Sequence, residues 1–207
     1  MISPFNPAER RILSRLSSPD RVQDFLNGLK FNFETRGETC CSPRLVLRQR
    51  AAHCMEGAML AAAALEYHGA RPLVVDLRAA RHDFDHVIAV FHRRGWGAVS
   101  KTNHAVLRYR EPVYRSLREL VMSYFHEYFL DSGQKTLREY SRPLDLNVFN
   151  RLDWRTTEKP LFAIPQRLDQ IKHFSILDGA QIRRLRPADA VEIRAGKITE
   201  WRPPAGR

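Results

Sequence analysis

At 207 residues, 43% hydrophobic and 28% charged, the chain has material for one sizeable domain with its own core, and its composition is neither disordered nor fibrous. A formal charge of +11 admits acidic or nucleic-acid partners. The basic residues, mostly arginines, are scattered without a nucleic-acid motif or an aromatic–basic ladder, which argues against nucleic acid. No apolar run approaches the roughly 20 residues a bilayer demands, the start MISPFNPAERRILSRL lacks a secretory apolar stretch, and three cysteines with no CxxC pair, Cys40 and Cys41 adjacent, make a poor disulfide or zinc framework; together these predict a cytoplasmic protein with reduced thiols and no membrane partner.

Apolar residues at helical spacing run from Pro7 to Leu29 (Ile12, Leu13, Leu16, then Val22, Phe25, Leu26, Leu29), with Pro19-Asp20 marking a break and a second helix start. A polar stretch, Asn32 to Ser42, precedes a short helix predicted over Pro43 to Arg50. Cys54 to His68 is the most helix-like segment, rich in Ala, Leu, Met and Glu, apolar most of the way round as a buried central helix should be, and capped by Gly69. Leu73 to Leu77 reads as a strand; His86 to Phe91 and Trp96 to Ser100 read as a hairpin turning at Arg93-Arg94-Gly95.

Val113, Leu117, Leu120, Val121, Tyr124, Phe125 and Tyr128 predict one helix over Val113 to Phe129, its aromatic stripe serving as core. From Phe174 onward the tail reads as short strands, with turns at Asp178-Gly179 and Ala195-Gly196-Lys197. This order predicts an α+β fold, a central helix packed on an antiparallel sheet, rather than a doubly wound α/β sheet. The expected division is a domain over residues 1–135, including the N-terminal helices, and a C-terminal extension over 136–207 that either stands apart or packs on the same domain.

Cys54 opens the central helix, where the positive end of the helix dipole and unpaired N–H groups favour thiolate over thiol; the plainer alternative is a small buried residue. His86 begins a strand after the polar run His82-Asp83-Phe84-Asp85, a place from which an imidazole can serve as base to a helix-borne cysteine. The stretch from about Leu45 to Ser100 carries Leu47-Arg48-Gln49-Arg50, then His53-Cys54-Met55-Glu56-Gly57-Ala58, Ala61 to Leu65, Gly69-Ala70-Arg71-Pro72, His86-Val87 and Gly95-Trp96. In this order it resembles the transglutaminase-like superfamily, whose core is shared with papain-like cysteine enzymes.

That resemblance implies acyl chemistry on an amide or ester, with Cys54 as nucleophile, His86 as general base and helix N–H groups as the oxyanion site. Hydrolysis of a peptide-like bond leads over cross-linking, and no cofactor or metal is needed. The family usually has an acidic residue four places after the tryptophan; here that place is Ser100. Three readings stay open: Ser100 orients the imidazole, Asn103 does so from beyond the strand, or the site has lost activity and the chain is a non-catalytic binding module. Gln49 is a candidate side-chain donor to the oxyanion, Glu56 a stabiliser of the helix's first turn, and Trp96 a packing residue.

A metal-dependent hydrolase is a third class, raised by His82, Asp83, Asp85 and His86 with His53 and His104 nearby. An extended chain puts only two of the first four on each face, and a catalytic zinc wants three protein ligands. Lys101-Thr102-Asn103-His104, with Arg108 and Arg110, forms a basic run that either lines the cleft to receive an anionic group or is an exposed loop. The expected partner is thus a peptide or amide substrate, acidic groups being admitted by the net charge, with the oligomeric state left open.

Overall fold

The computed structural model describes residues 4–203. Helices α1 (Pro7–Arg15) and α2 (Pro19–Asn27) open the chain, each with a proline in its first turn, where a missing N–H costs nothing. Strand β1 (Lys30–Phe31) runs parallel to β2 (Ala51–Ala52), and between them lie a loop and helix α3 (Pro43–Gln49). Helix α4 (Cys54–Tyr67) follows, buried continuously from Met55 to Leu65, as its all-round apolar sequence predicts. Gly69, at φ 89°, takes the left-handed conformation past the helix end that side chains disfavour.

The sheet begins with β3 (Leu73–Ala79), β4 (His86–His92), β5 (Trp96–Ser100) and β6 (Arg110–Tyr114). Then come α5 (Leu117–Met122), β7 (Leu137–Ser141), β8 (Leu144–Asp145), α6 (Ala163–Gln170), β9 (His173–Ser175), α7 (Gly179–Arg183) and α8 (Ala190–Gly196). The spatial order is β6-β5-β4-β3-β7-β9, with β8 also on β3 and every pairing antiparallel. The architecture is therefore α+β with a large antiparallel sheet.

Both faces of the sheet are covered, which explains why β4 is apolar without alternation. Val87, Ala89 and Phe91 face the cluster built on α4, while Ile88 and Val90 face a second cluster with Leu120, Val121, Tyr124 and Phe125. Among the described residues no helix is long and apolar enough to cross a membrane.

Two expectations are corrected. The segment from Val113 to Phe129 is not one helix. Pro112 sits in β6, an edge strand that tolerates its missing N–H, Val113 is 69% exposed, and the helix starts only after Ser116, whose hydroxyl accepts from Glu119 N at 3.1 Å. The aromatics do pack: Tyr124, Phe125 and Tyr128 are buried. The tail after β9 is helical rather than extended, because Asp178 with Gln181 and Asp189 with Glu192 are helix-opening capping boxes that resemble turns in sequence. Of the two arrangements left open for the C-terminal extension, the one present is packing on the same domain. Residues beyond 136 supply β7, β8 and β9 to the same sheet, and Trp154, Leu161, Ile164 and Leu168 join the α4 cluster.

The start of α4 is pressed against the end of β5. A Cβ on Gly57 would lie 2.4 Å from Lys101 Cβ, closer than any real contact. Lys101 is itself buried, and its ammonium donates to Leu26 O at 3.0 Å and Leu29 O at 2.7 Å, closing the C-terminal end of α2. Gly57→Ala is expected to lose about 1–3 kcal/mol by overpacking, measured by urea unfolding; an unchanged midpoint would show that the α4–β5 contact yields freely.

Candidate active site

The N-terminus of α4 is organised by one carboxylate. Glu56, with no solvent exposure, accepts hydrogen bonds from Asn32 Nδ2 at 3.0 Å, Thr39 Oγ1 at 2.8 Å, Cys41 N at 2.9 Å and His53 N at 3.2 Å. The last bond is half of a helix cap, and the others draw the loop over residues 32–41 across the helix start. Burial would push Glu56 up, but the His53 charge and the donors around it bring its carboxyl below the ordinary value.

His53 precedes the cysteine and is held by this loop. Its Nε2 donates to Thr39 O at 3.1 Å and lies 3.5 Å from Glu56 and 3.6 Å from Glu34. Burial disfavours its cation, yet the hydrogen bond to Cys54, the charges of Cys54 and Glu56 and the Thr39 carbonyl raise the imidazole to about 9. Cys54 answers from the other side of the same proton. Burial alone would raise the thiol, but hydrogen bonds from His53 and then His86, with the charge of both rings, lower it to about 5. By contrast, burial and then the nearby Glu56 push Cys40 and Cys41 up to about 12.

His86 begins β4 and is buried, with Nε2 2.8 Å from Ser100 Oγ. The Ser100 hydroxyl donates its one proton to Leu107 O at 2.6 Å, so toward His86 it accepts, and Nε2 is the protonated nitrogen. Nδ1 is then the nitrogen free to face the thiol. Ser100 is fixed in turn by Gln23 of α2, which accepts from Ser100 N at 2.9 Å and donates to Ser100 O at 2.8 Å. Leu107, at φ 60° a conformation unusual for a branched side chain, is held at both ends: its carbonyl by Ser100 and its N–H by Glu127 at 2.8 Å.

Cys54 and His86 line one cavity of about 480 Å³, which Asn103 also borders. Asn103 does not touch the imidazole through its amide. That amide accepts from Trp201 N at 2.9 Å and donates to Trp201 O at 3.0 Å, clasping the segment after α8. Gln49 is exposed and accepts from the Cys41 thiol at 3.8 Å, away from the cavity lining. Trp96 packs on the second cluster.

The run after β5 offers no free cation. Lys101 points its ammonium at α2, Arg108 pairs with Glu200 at 2.9 Å, and Arg110 pairs with Glu127 at 2.7 Å and lies over the Tyr124 ring. Among the described residues, the donors close enough to share a metal ion are Asp76, Asp85 and Asp169. The buried Asp76 is already 3.0 Å from His173 Nε2. His82 and Asp83 are not in that set, Asp83 being engaged by Phe84 N and the Thr136 hydroxyl.

Sequence reasoning passed over two positioning side chains. His53 enters the sequence reading as part of the matched stretch and as a nearby metal ligand, without a role beside the thiol, although His-Cys with Glu three residues on is the pattern of a helix start. Gln23 gave no signal, since its partner lies 77 residues away. No protein-family profile matches the chain, and no curated protein sequence matches it.

Glu56→Gln replaces an acceptor of four donors by an amide that brings donors of its own. It is expected to cost about 2–4 kcal/mol and to slow alkylation of Cys54 by iodoacetamide, read by urea unfolding and mass spectrometry. Wild-type values in both would show that the carboxylate does not hold the helix start.

Proposed function

We propose that the chain is a cysteine-dependent acyl-transfer enzyme that hydrolyses an amide or peptide bond, built on a transglutaminase-like core. The observation that carries this reading is a half-buried thiol at a helix start that shares one cavity with two imidazoles, His53 and His86, the latter fixed in tautomer by a serine hydroxyl. Cys54 attacks the carbonyl carbon. The N–H groups of the first turn of α4, which have no acceptor within the helix, face the developing oxyanion. His86 takes the Cys54 proton at Nδ1 as the sulfur attacks, delivers it to the departing amine, then takes one from the water that releases the acyl group and returns it to the departing thiolate. Ser100 is a positioning residue: it sets the ring and its tautomer but supplies no negative charge.

The competing reading is a non-catalytic binding module, and the neutral Ser100 is what favours it. The two separate on the reactivity of Cys54 against pH. The thiolate form is lost as pH falls through the lowered value, so alkylation is expected to rise through about pH 5 and stay flat to neutrality, with Cys54 the residue labelled. His86→Ala is expected to slow alkylation and to cut hydrolysis of a susceptible peptide by about 10²–10⁴-fold, with Ser100→Ala showing a smaller loss. A midpoint near the ordinary ~8.5 of a free thiol, indifferent to His86, would leave a structural cysteine and the binding-module reading.

A further inference from the structure

The net charge of +11 is not shared by the walls of the Cys54 cavity. Five carboxylates line it, Glu34, Asp83, Asp85, Glu127 and Asp131, against the ammonium of Lys101 and the imidazolium of His53. Lys101 is buried and turns its ammonium to the end of α2, donating to Leu26 O and Leu29 O. Arg110 and Lys197 pair with Glu127 and Asp131 at 2.7 and 3.3 Å. Among the described residues no lysine or arginine pairs with Glu34, Asp83 or Asp85; their donors are neutral N–H and O–H groups (Thr39 N to Glu34 at 2.7 Å, Phe84 N to Asp83, Ala79 N to Asp85), and the one cation near Glu34 among those residues is His53, at 3.6 Å.

Aromatic rings alternate with these carboxylates. Phe33 precedes Glu34 and meets Phe31 edge-on at 5.1 Å, and Phe84, 89% exposed, stands between Asp83 and Asp85. Phe129 borders the cavity two residues before Asp131. A low-dielectric cleft focuses the field of unpaired charges, and aromatic faces attract the same sign of ligand that carboxylates do.

Resting on the cysteine-enzyme reading above, we propose that the substrate carries a cationic group, a lysine- or arginine-type side chain or a free amine, beside the carbonyl that Cys54 attacks. The carboxylates of the 83–85 loop and Glu34 hold its charge, and Phe84 with the Phe31–Phe33 pair covers its aliphatic stem. An acidic peptide would meet like charge on most sides of the same cavity.

The test needs no known substrate. Cys54 is titrated with two methanethiosulfonates of similar size, one bearing trimethylammonium and one sulfonate. The thiolate attacks the sulfenyl sulfur, forms a mixed disulfide and expels methanesulfinate. The ratio of the two rates is divided by the same ratio for 2-mercaptoethanol, and Cys54→Ala confirms the labelled residue.

A normalised preference for the cation of about tenfold or more at low salt is expected, collapsing as salt screens the field and falling severalfold in Glu34→Gln and Asp83→Asn. Salt dependence in the wild type keeps the test valid if a variant fails to fold. Fast labelling with a normalised ratio at or below one would overturn the charge inference alone. Labelling by both reagents that is slow and indifferent to His86→Ala would overturn the Cys–His reading, and this inference with it.

Discussion

A carboxylate shut away from water must be met by donors or it will not stay charged, and Glu56 is shut away completely. Four N–H and O–H groups meet it, from the helix it starts and from the loop over residues 32–41. The loop reaches this place with little regular structure of its own; the buried charge supplies the reason for its path. That path delivers the Thr39 carbonyl to His53, and so determines which way the ring before Cys54 turns. The opposite wall depends on a second buried charge. Lys101 ties the end of β5 to the end of α2 and leaves room for α4 only because residue 57 has no side chain. With both walls fixed, Ser100 stands within reach of His86, and Gln23 sets its backbone from α2.

How legible this was in the sequence follows the range of the forces. Helix α4 and the β4–β5 hairpin are written locally, in helix formers, a glycine stop and two apolar runs joined by a turn, and they fall where the sequence places them. Ser100 is singled out only through the resemblance, which implies a third site residue four places after Trp96. The networks around these residues were not legible, because each joins segments far apart in the chain: Gln23 to Ser100, Asn32 to Glu56, Asn103 to Trp201. The tail was misread for a different reason. Asp178-Gly179 is a helix opening whose residue types are those of a turn, and only Gln181 reaching back to Asp178 N at 2.9 Å distinguishes the two.

The basic run after β5 shows how composition misleads about a site. Lysine and arginine there are used as structural donors, to helix-end carbonyls, to Glu127 and to Glu200, so a chain rich in positive charge presents a cavity rich in carboxylates. Surface charge governs what approaches the molecule from afar; the side chains left unpaired at the cavity govern what is held there.

The neutral residue behind His86 is the strongest argument against catalysis, and the geometry qualifies it. An acidic third residue does two things: it fixes the tautomer and it stabilises the charged imidazole. Ser100 does the first, because its own proton is committed to Leu107 O and its oxygen is free only to accept. The second task is eased by the ring on the other side. His53 lies between Glu34 and Glu56, and its cation is favoured up to about pH 9, so the Cys54 thiolate has a positive partner that does not depend on His86. On the reading proposed above, the two jobs usually joined in one imidazole are divided: His53 stands beside the thiolate as a fixed charge, and His86 exchanges the proton. A base relieved of holding the ion pair needs an orienting hydroxyl more than a carboxylate, and Ser100 is then in keeping with an active site rather than a mark of its decay.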